Sequence, residues 1–467
     1  MTDWQGKHVT VAGLGVSGIP AAKVLHARGA VVTVVNDGDD ARAREQAAEL
    51  EALGITVRLG DGATLPEGTE LIVTAPGWKP DKPLFTAARA AGLEIWGDVE
   101  LAWRLRGPDA APWLAVTGTN GKTTTVQMLA SILKAAGLRT AAVGNIGVSL
   151  LDVVLGEEQY DVLAVELSSY QLHWAPSLRA QSAAVLNLAP DHLDWHGSME
   201  AYAADKGRIY EGNRVACVYN AADKATEDLV READVEEGCR AVGFTLGTPG
   251  PSQLGVVDGI LVDRAFVENR QKNAQELAEV SDVNPPAPHN IANALAAAAL
   301  ARAFGVPAAA VRDGLRNFTP DAHRIAHVAD VAGVAYIDDS KATNTHAAQA
   351  SLAAYESIVW IAGGLAKGAT FDELVAGSAK RLRGVVLIGK DRALIREALV
   401  RHAPEVPVVD LDRTDTGAML AAVQEAQRLA TAGDTVLLAP ACASMDMFAN
   451  YNKRGDAFAQ AVRELGA

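Results

Sequence analysis

Leu114-Ala115-Val116-Thr117-Gly118-Thr119-Asn120-Gly121-Lys122-Thr123-Thr124 is the stretch on which the fold turns. The apolar run Trp113 to Val116 reads as a buried strand. Val126-Gln127-Met128-Leu129-Ala130-Ser131-Ile132-Leu133 then carries its apolar residues at helical spacing. Strand, glycine-bearing turn and helix together hold nucleotide phosphates. Backbone N–H groups of the loop and of the helix N-terminus point at the anion, and the helix dipole favours negative charge there. Gly118, Thr119, Asn120, Gly121, Lys122, Thr123 and Thr124 are therefore the candidate phosphate loop. In it Lys122 would reach the outer phosphates of ATP and the Thr123 hydroxyl would ligate Mg2+. The strict pattern has a further Gly where this chain has Val116, so only Gly-Thr-Asn-Gly-Lys-Thr remains.

Outward from this loop the chain reads as α/β throughout. Residues 7–12 form a strand, Gly13-Leu14-Gly15-Val16-Ser17-Gly18 turns into a helix ending near Arg28-Gly29, and Val31 to Val35 is the next strand. The pattern continues through Leu71-Ile72-Val73 and Thr74-Ala75-Pro76-Gly77. Gly107-Pro108-Asp109-Ala110-Ala111-Pro112 reads as a linker. Strands at 162–166 and 183–187 follow the phosphate loop, and an Ala-rich helix runs from about Asn290 to Phe304. After the boundary at Asn317-Phe318-Thr319-Pro320, strands at 334–338, 358–362, 384–388 and 435–439 alternate with helices. The expected organisation is three domains. Residues 1–107 are Rossmann-like, 108–320 a phosphate-loop ATPase-like parallel sheet, and 321–467 Rossmann-like again.

Composition narrows the function. A chain of 467 residues is too long for one core. No run of about 18 apolar residues appears, so no transmembrane helix is expected. Met1 to Lys7 lacks a basic region followed by an apolar core, so no signal peptide is expected either. Cys217, Cys239 and Cys442 are too scattered for a disulfide framework or a zinc site and fit a reducing, cytoplasmic setting. The net charge of −15 argues against a nucleic-acid binder. An anionic substrate must then be drawn by local cations, helix termini and metal. A monomer with small-molecule partners is the expectation.

Two further clusters carry chemistry. Glu166 ends an apolar strand, where a carboxylate can ligate the Mg2+ that bridges ATP phosphates. Asp191-His192-Leu193-Asp194-Trp195-His196 follows another strand and is more polar than a loop requires, which points to a metal and substrate site. Lys206 lies on the next helix, where a lysine is ordinarily a solvated surface residue. The N-terminal glycines, with Asp37 at the end of the second strand, would serve NAD, another nucleotide or tight helix–strand packing, and NAD is the disfavoured reading.

The motifs taken together resemble the Mur ligases of peptidoglycan synthesis. The resemblance rests on Gly-Thr-Asn-Gly-Lys-Thr, Gly144-Asn145-Ile146-Gly147, Glu166-Leu167-Ser168-Ser169-Tyr170-Gln171-Leu172, Asp191-His192-Leu193-Asp194 and Tyr202-x-x-x-Lys206-x-Arg208-Ile209-Tyr210. His289-Asn290-x-x-Asn293-Ala294 and His323-Arg324 add to it. Asp338-Asp339-Ser340-Lys341-Ala342-Thr343-Asn344, Pro440-Ala441-Cys442-Ala443-Ser444-Met445-Asp446 and Asn450-Tyr451-x-x-Arg454-Gly455 are similar to the D-glutamate-adding branch. The resemblance covers nearly the whole chain in order.

The resemblance implies an ATP-dependent ligase that joins D-glutamate to UDP-N-acetylmuramoyl-L-alanine through an acyl phosphate. It implies that the N-terminal glycine turn holds the UDP moiety, with Ser17, Asn36, Asp37 and Gly77 nearby, and that Asn145 and His192 contact substrate. Lys206 matches a lysine that the family carbamylates, which converts an ammonium into an anionic ligand for a second Mg2+. Thr123, Glu166, His192 and modified Lys206 would hold the metals. Asn290 and Asn293 would approach adenine, Asp339 the ATP ribose, and Arg324 the γ-phosphate. Thr343, Lys367, Ser444, Met445 and Tyr451 would face D-glutamate, with Lys341 and Lys367 countering carboxylate charge. Asn36, Leu365 and Tyr451 stand where the family often has Asp, Asp and Phe.

Overall fold

The structure, a computed structural model, describes residues 3–146, 148–413, 415 and 417–465. Its first sheet contains β1 (His8–Ala12), β2 (Val31–Asn36), β3 (Thr56–Leu59), β4 (Leu71–Thr74) and β5 (Glu94–Gly97), in the order β3-β2-β1-β4-β5. Every pairing is parallel. The order reverses between β1 and β4, so the turns that follow them, Gly13 onward and Ala75-Pro76-Gly77, open the crevice where such sheets bind ligands.

The second sheet has nine strands. They are β6 (Trp113–Thr117), β7 (Thr140–Gly144), β8 (Val162–Glu166), β9 (Ser182–Val185), β10 (Ala216–Asn220), β11 (Arg240–Phe244), β12 (Gln253–Val257), β13 (Ile260–Asp263) and β14 (Gln275–Glu279). Their order is β14-β13-β12-β11-β10-β9-β6-β8-β7. From β7 to β12 the sheet is parallel, and β13 and β14 extend it antiparallel. This extension has no counterpart in the sequence reading, which expected a parallel sheet alone. β6 is central and buried along its whole length, which is why Trp113 to Val116 reads as one apolar run and not as an alternation.

Contacts divide the chain into two compact units, the first of Met1–Pro286 and Asn290–Phe318 and the second of Ala287–His289 and Thr319–Ala467. Unit 1 contains both sheets above. One apolar cluster runs through both, joining Val9, Val11, Val99 and Leu101 to Trp113, Leu163 and Val165. Unit 2 holds the third sheet, with β15 (Ala326–Val331), β16 (Val334–Asp338), β17 (Ile358–Gly363), β18 (Leu382–Ile388), β19 (Val408–Asp410) and β20 (Thr435–Leu438). Its order is β15-β16-β20-β17-β18-β19, parallel except for the β15 edge. The Ala-rich helix is Pro288–Ala303, and its residues from Ala294 to Ala301 are all buried, so small side chains let it pack closely. Among the described residues no helix is long and apolar enough to cross a membrane.

Candidate active site

The phosphate loop leaves β6 at Thr117 and enters the helix Lys122–Ala135 through Gly121, whose φ of 84° is left-handed. A Cβ at Gly121 would run into Asn293 Oδ1, so glycine serves here both for its conformation and for this close approach. Asn293 and Asn290 are thereby set against the loop, with Asn293 Nδ2 donating to Asn290 Oδ1 at 3.4 Å. Asn187, just past β9, clamps the loop from the other side. Its Oδ1 accepts from Asn120 N–H at 2.9 Å and its Nδ2 donates to Asn120 C=O at 3.1 Å. The Thr119 hydroxyl meets Tyr202 OH at 3.0 Å and both polar backbone groups of Ala189. Lys122 Nζ folds back onto the carbonyls of Gly118 and Thr119, at 2.9 Å each.

Three predicted groups converge on this loop. Lys206, on the helix Met199–Gly207, is 2 % exposed, and its Nζ donates to Gly118 C=O at 2.9 Å. The surface reading of this lysine is therefore replaced by a buried one. Burial, and then the nearby Lys122 cation, hold Lys206 well below the ordinary lysine value, against the opposing pull of Asp191, Glu166 and Asp205. Glu166 ends β8, is buried, and accepts from Asn145 Nδ2 at 2.9 Å through Oε1. Its Oε2 is buried without a hydrogen-bond partner among the described residues. An ionised carboxylate oxygen in that state calls for a cation. His192 caps the short helix Leu193–His196 in a left-handed conformation and lies 3.5 Å from Asp191. Partial burial, with Lys122 and Lys206 nearby, lowers its pKa and favours the neutral imidazole that can ligate metal. Among the described residues no three His, Cys, Asp or Glu side chains form a ready-made metal cage. Mg2+ does not require one, since it binds through one or two carboxylates together with substrate phosphates. Glu166 and the Thr123 position fit that demand. Gly147 of the Gly144–Gly147 motif lies outside the described residues.

A buried polar network surrounds the helix that carries Lys206. The Asp205 carboxylate accepts from His173 Nδ1 and from His196 Nδ1, both at 2.9 Å, with Arg208 Nε at 3.3 Å. His196 Nε2 faces Ser169 Oγ at 2.9 Å. Burial raises the Asp205 pKa, but the hydrogen bonds from the two histidines outweigh it, so the net shift is down. Sequence reasoning assigns no role to Ser169, His173, Asp205, Asn187 or Tyr202; the signals it holds are that Ser169 and Tyr202 lie in two of the quoted motifs and that His196 shares the polar run of His192.

In the N-terminal part of unit 1, Ser17 Oγ donates to Asp98 Oδ2 at 2.8 Å. Asn36 is held by the turn itself, its Oδ1 accepting from Leu14 N–H at 3.0 Å and its Nδ2 donating to Gly38 C=O at 2.9 Å. Its amide thus orders the glycine turn. Asp37 pairs with Lys82 at 2.5 Å, and that ammonium lies 4.6 Å over the Trp78 ring. Gly77 C=O accepts from Trp195 Nε1 at 3.1 Å, and Lys79 Nζ donates to Asp194 C=O at 2.7 Å. The turn after β4 is therefore tied to the Asp191–Asp194 loop.

In unit 2, Arg324 sits between His323 and Ile325, both in left-handed conformations. His323 Nδ1 bonds Asp338 at 2.6 Å, which raises the histidine pKa. Asp339, expected at a ribose, is buried and accepts from the Ser351 hydroxyl and from Ile325 N–H. It therefore orders the segment that bears Arg324. Lys341 Nζ lies 4.1 Å over the Tyr451 ring. Arg454, 1 % exposed, donates to Ser340 Oγ and C=O and to Cys442 C=O, pinning the Asp338–Asn344 and Pro440–Asp446 segments together. Thr343 and Ser444 lie on those two segments, where Ser444 is buried and Met445 is 60 % exposed. Lys367 follows the Gly363-Gly364 turn with φ of 50°.

Comparison with known proteins gives three family matches. The models for the Mur ligase MurD-like N-terminal domain, the Mur ligase middle domain and the Mur ligase glutamate ligase domain match residues 7–97, 116–301 and 323–442. A UDP-N-acetylmuramoylalanine--D-glutamate ligase from Streptomyces avermitilis is 90% identical over 467 residues, covering 100% of both chains. The protein of the same name from Thermobifida fusca is 59% identical over 463 residues, covering 99% of each. Among solved structures, MurC from Thermotoga maritima superposes with a TM-score of 0.55 at 20% identity, over 98% of this chain and 99% of that one. MurF from Thermotoga maritima in complex with ADP gives 0.57 at 16% identity, over 99% and 96%. At these identities the two structures speak to the fold alone.

Proposed function

This chain belongs to the Mur ligase family, and from that premise we propose that it joins D-glutamate to UDP-N-acetylmuramoyl-L-alanine with ATP, forming ADP and phosphate in peptidoglycan precursor synthesis. The observation that carries the ATP side is the convergence on Gly118 C=O of Lys122 and buried Lys206, beside the unpartnered oxygen of Glu166. The choice of D-glutamate is supported by relatives of that name, 59% to 90% identical over essentially the whole chain. In this reading residues 1–107, 108–320 and 321–467 serve sugar nucleotide, ATP and amino acid respectively, and the enzyme works in the cytoplasm as a monomer.

Amide formation from a carboxylate and an amine is uphill in water, so the alanyl carboxylate is first activated. It attacks the γ-phosphorus of ATP in line, the bond to ADP breaks, and an acyl phosphate results. The amine of D-glutamate attacks the acyl carbon, loses a proton, and phosphate leaves. The protein's part is positioning and charge neutralisation. The phosphate loop directs its N–H groups and Lys122 at the phosphates, and Arg324 is assigned to the γ-phosphate. Asn290 and Asn293 bind on the adenine side. Ser17, Asn36, Asp37 and Gly77 receive the uridine diphosphate, and Asn145 and His192 the muramoyl-alanine end. Thr343, Lys341, Lys367, Ser444, Met445 and Tyr451 receive D-glutamate. Thr123, Glu166 and His192 would hold Mg2+, which when bound would supply positive charge against the phosphates.

Lys206 is proposed to be carbamylated. Its depressed pKa supports this, because only the neutral amine adds to carbon dioxide. The bond forms between Nζ and carbon, the amine releases a proton, and the product is an anion able to ligate metal.

The deciding assay is ADP release from UDP-N-acetylmuramoyl-L-alanine with D-glutamate, against L-glutamate and other amino acids. Equal rates with another amino acid would overturn the assignment. Saturable NAD binding that UDP-sugar does not displace would overturn the reading of the N-terminal crevice.

A further inference from the structure

The groups read as metal ligands sit on separate segments: Glu166 at the end of β8, His192 at the start of the helix Leu193–His196, and Lys206 on the helix Met199–Gly207. Among the described residues no backbone ladder joins these segments to one another. A chain of buried side chains does. Ser169 is the first residue of the helix Ser169–His173 that follows Glu166. His196 ends the helix that His192 caps, and Asp205 directly precedes Lys206. Each ligand-bearing segment thus contributes one member to the line Ser169 Oγ, His196 ring, Asp205 carboxylate, with 2.9 Å at each step.

The chemistry of the chain has one polarity. A carboxylate only accepts, so His196 Nδ1 carries the proton that faces Asp205. In the neutral imidazole Nε2 is then a bare lone pair, and the Ser169 hydroxyl donates to it. His173 Nδ1 also meets the Asp205 carboxylate at 2.9 Å, and Arg208 approaches it at 3.3 Å. The His196 side chain has no exposed surface and Ser169 is 2 % exposed. Apolar side chains would fill such a junction without the cost of desolvating a carboxylate. What the polar chain adds is direction, because each bond fixes the orientation of the next.

We propose that Ser169, His196 and Asp205 are positioning residues that set the mutual spacing of Glu166, His192 and Lys206 for Mg2+. The proposal rests on the reading of those three as ligands. Groups that orient metal ligands from behind typically influence affinity by about 10- to 100-fold.

The test uses the full chain with ADP and Mn2+ as a paramagnetic stand-in for Mg2+, titrated by electron paramagnetic resonance. Thermal unfolding is recorded alongside. Ser169→Ala and Asp205→Asn are expected to weaken Mn2+ binding by roughly 10-fold or more. Ser169→Thr, which keeps the hydroxyl, is expected to restore it. Glu166→Gln serves as the direct-ligand control. If Glu166→Gln loosens Mn2+ while Ser169→Ala and Asp205→Asn lower only the unfolding temperature, the network is packing alone and the proposal is overturned. If Glu166→Gln also leaves Mn2+ affinity unchanged, the metal reading itself is wrong and the positioning proposal falls with it.

Discussion

Removing the Lys206 side chain separates its structural role from its chemical one. In Lys206→Ala no acceptor is orphaned. Gly118 C=O keeps Lys122 Nζ at 2.9 Å, and Thr117 Oγ1, which Lys206 approaches at 3.4 Å, keeps its own bond to Leu167 C=O at 2.7 Å. What is lost is the burial of three stem methylenes, about 0.8 kcal/mol each and so roughly 2.4 kcal/mol, together with the contact of Nζ over the Tyr202 ring at 4.7 Å. Relief from burying an amine beside Lys122 offsets part of that. The catalytic loss is separate. Even two unit charges about 4 Å apart interact by ~4 kcal/mol at an effective dielectric of about 20, so ~4 kcal/mol is a lower bound against a divalent metal, and each ~1.4 kcal/mol is tenfold in rate. Lys206→Ala should therefore fold and lose at least about 10³ in kcat. Acetate, filling the vacated anion site, should restore part of it. Lys206→Arg should remain inactive, since a guanidinium keeps the positive charge and forms no carbamate. The measurements are ADP release with and without acetate, and thermal unfolding. Full activity of the arginine variant, or an alanine variant that acetate never rescues, would refute the carbamate argument.

Other expectations follow from the same geometry. Lys122→Ala should abolish ADP formation while circular dichroism stays native, and near-normal turnover would remove the loop from the ATP site. Gly121→Ala forces a Cβ into a left-handed position against Asn293, costing about 1–2 kcal/mol for the backbone alone, and should raise the KM for ATP before that for D-glutamate. An unchanged ATP KM would count against the placement of Asn293 beside the phosphates. Burial pushes the Asp339 carboxyl from 3.8 up to about 6. A raised folded-state pKa means that its contribution to stability is complete below pH ~3.8 and is lost as pH rises to about 6. Wild type should therefore lose up to roughly 3 kcal/mol relative to Asp339→Asn across that window, read from unfolding curves at each pH. Parallel pH profiles for the two proteins would contradict it.

Much of this protein is written locally in its sequence. The strand before Gly118, the helix after Gly121 and the glycine turn at Gly13 are each set by a dozen neighbouring residues. Burial on both faces makes β6 uniformly apolar, so its central place is visible in one dimension. The break near Phe318 also shows, because Asn317-Phe318-Thr319-Pro320 ends a periodic pattern. The antiparallel strands β13 and β14 do not show, since short segments such as Ile260–Asp263 become strands through pairing with partners that local pattern does not name. Side-chain environments are hidden for the same reason. Lys206 carries the composition of a surface residue and becomes a depressed, buried amine only because its helix packs on the phosphate loop. Asn36 and Asp339 look like ligand contacts in the sequence, and in the fold their polar atoms are engaged by their own domain. Ser169, His196 and Asp205 are unremarkable singly. They become one hydrogen-bonded line only when chain segments far apart in sequence meet, and that meeting is decided by the burial of the helices that carry them, which is a property of the packed tertiary structure.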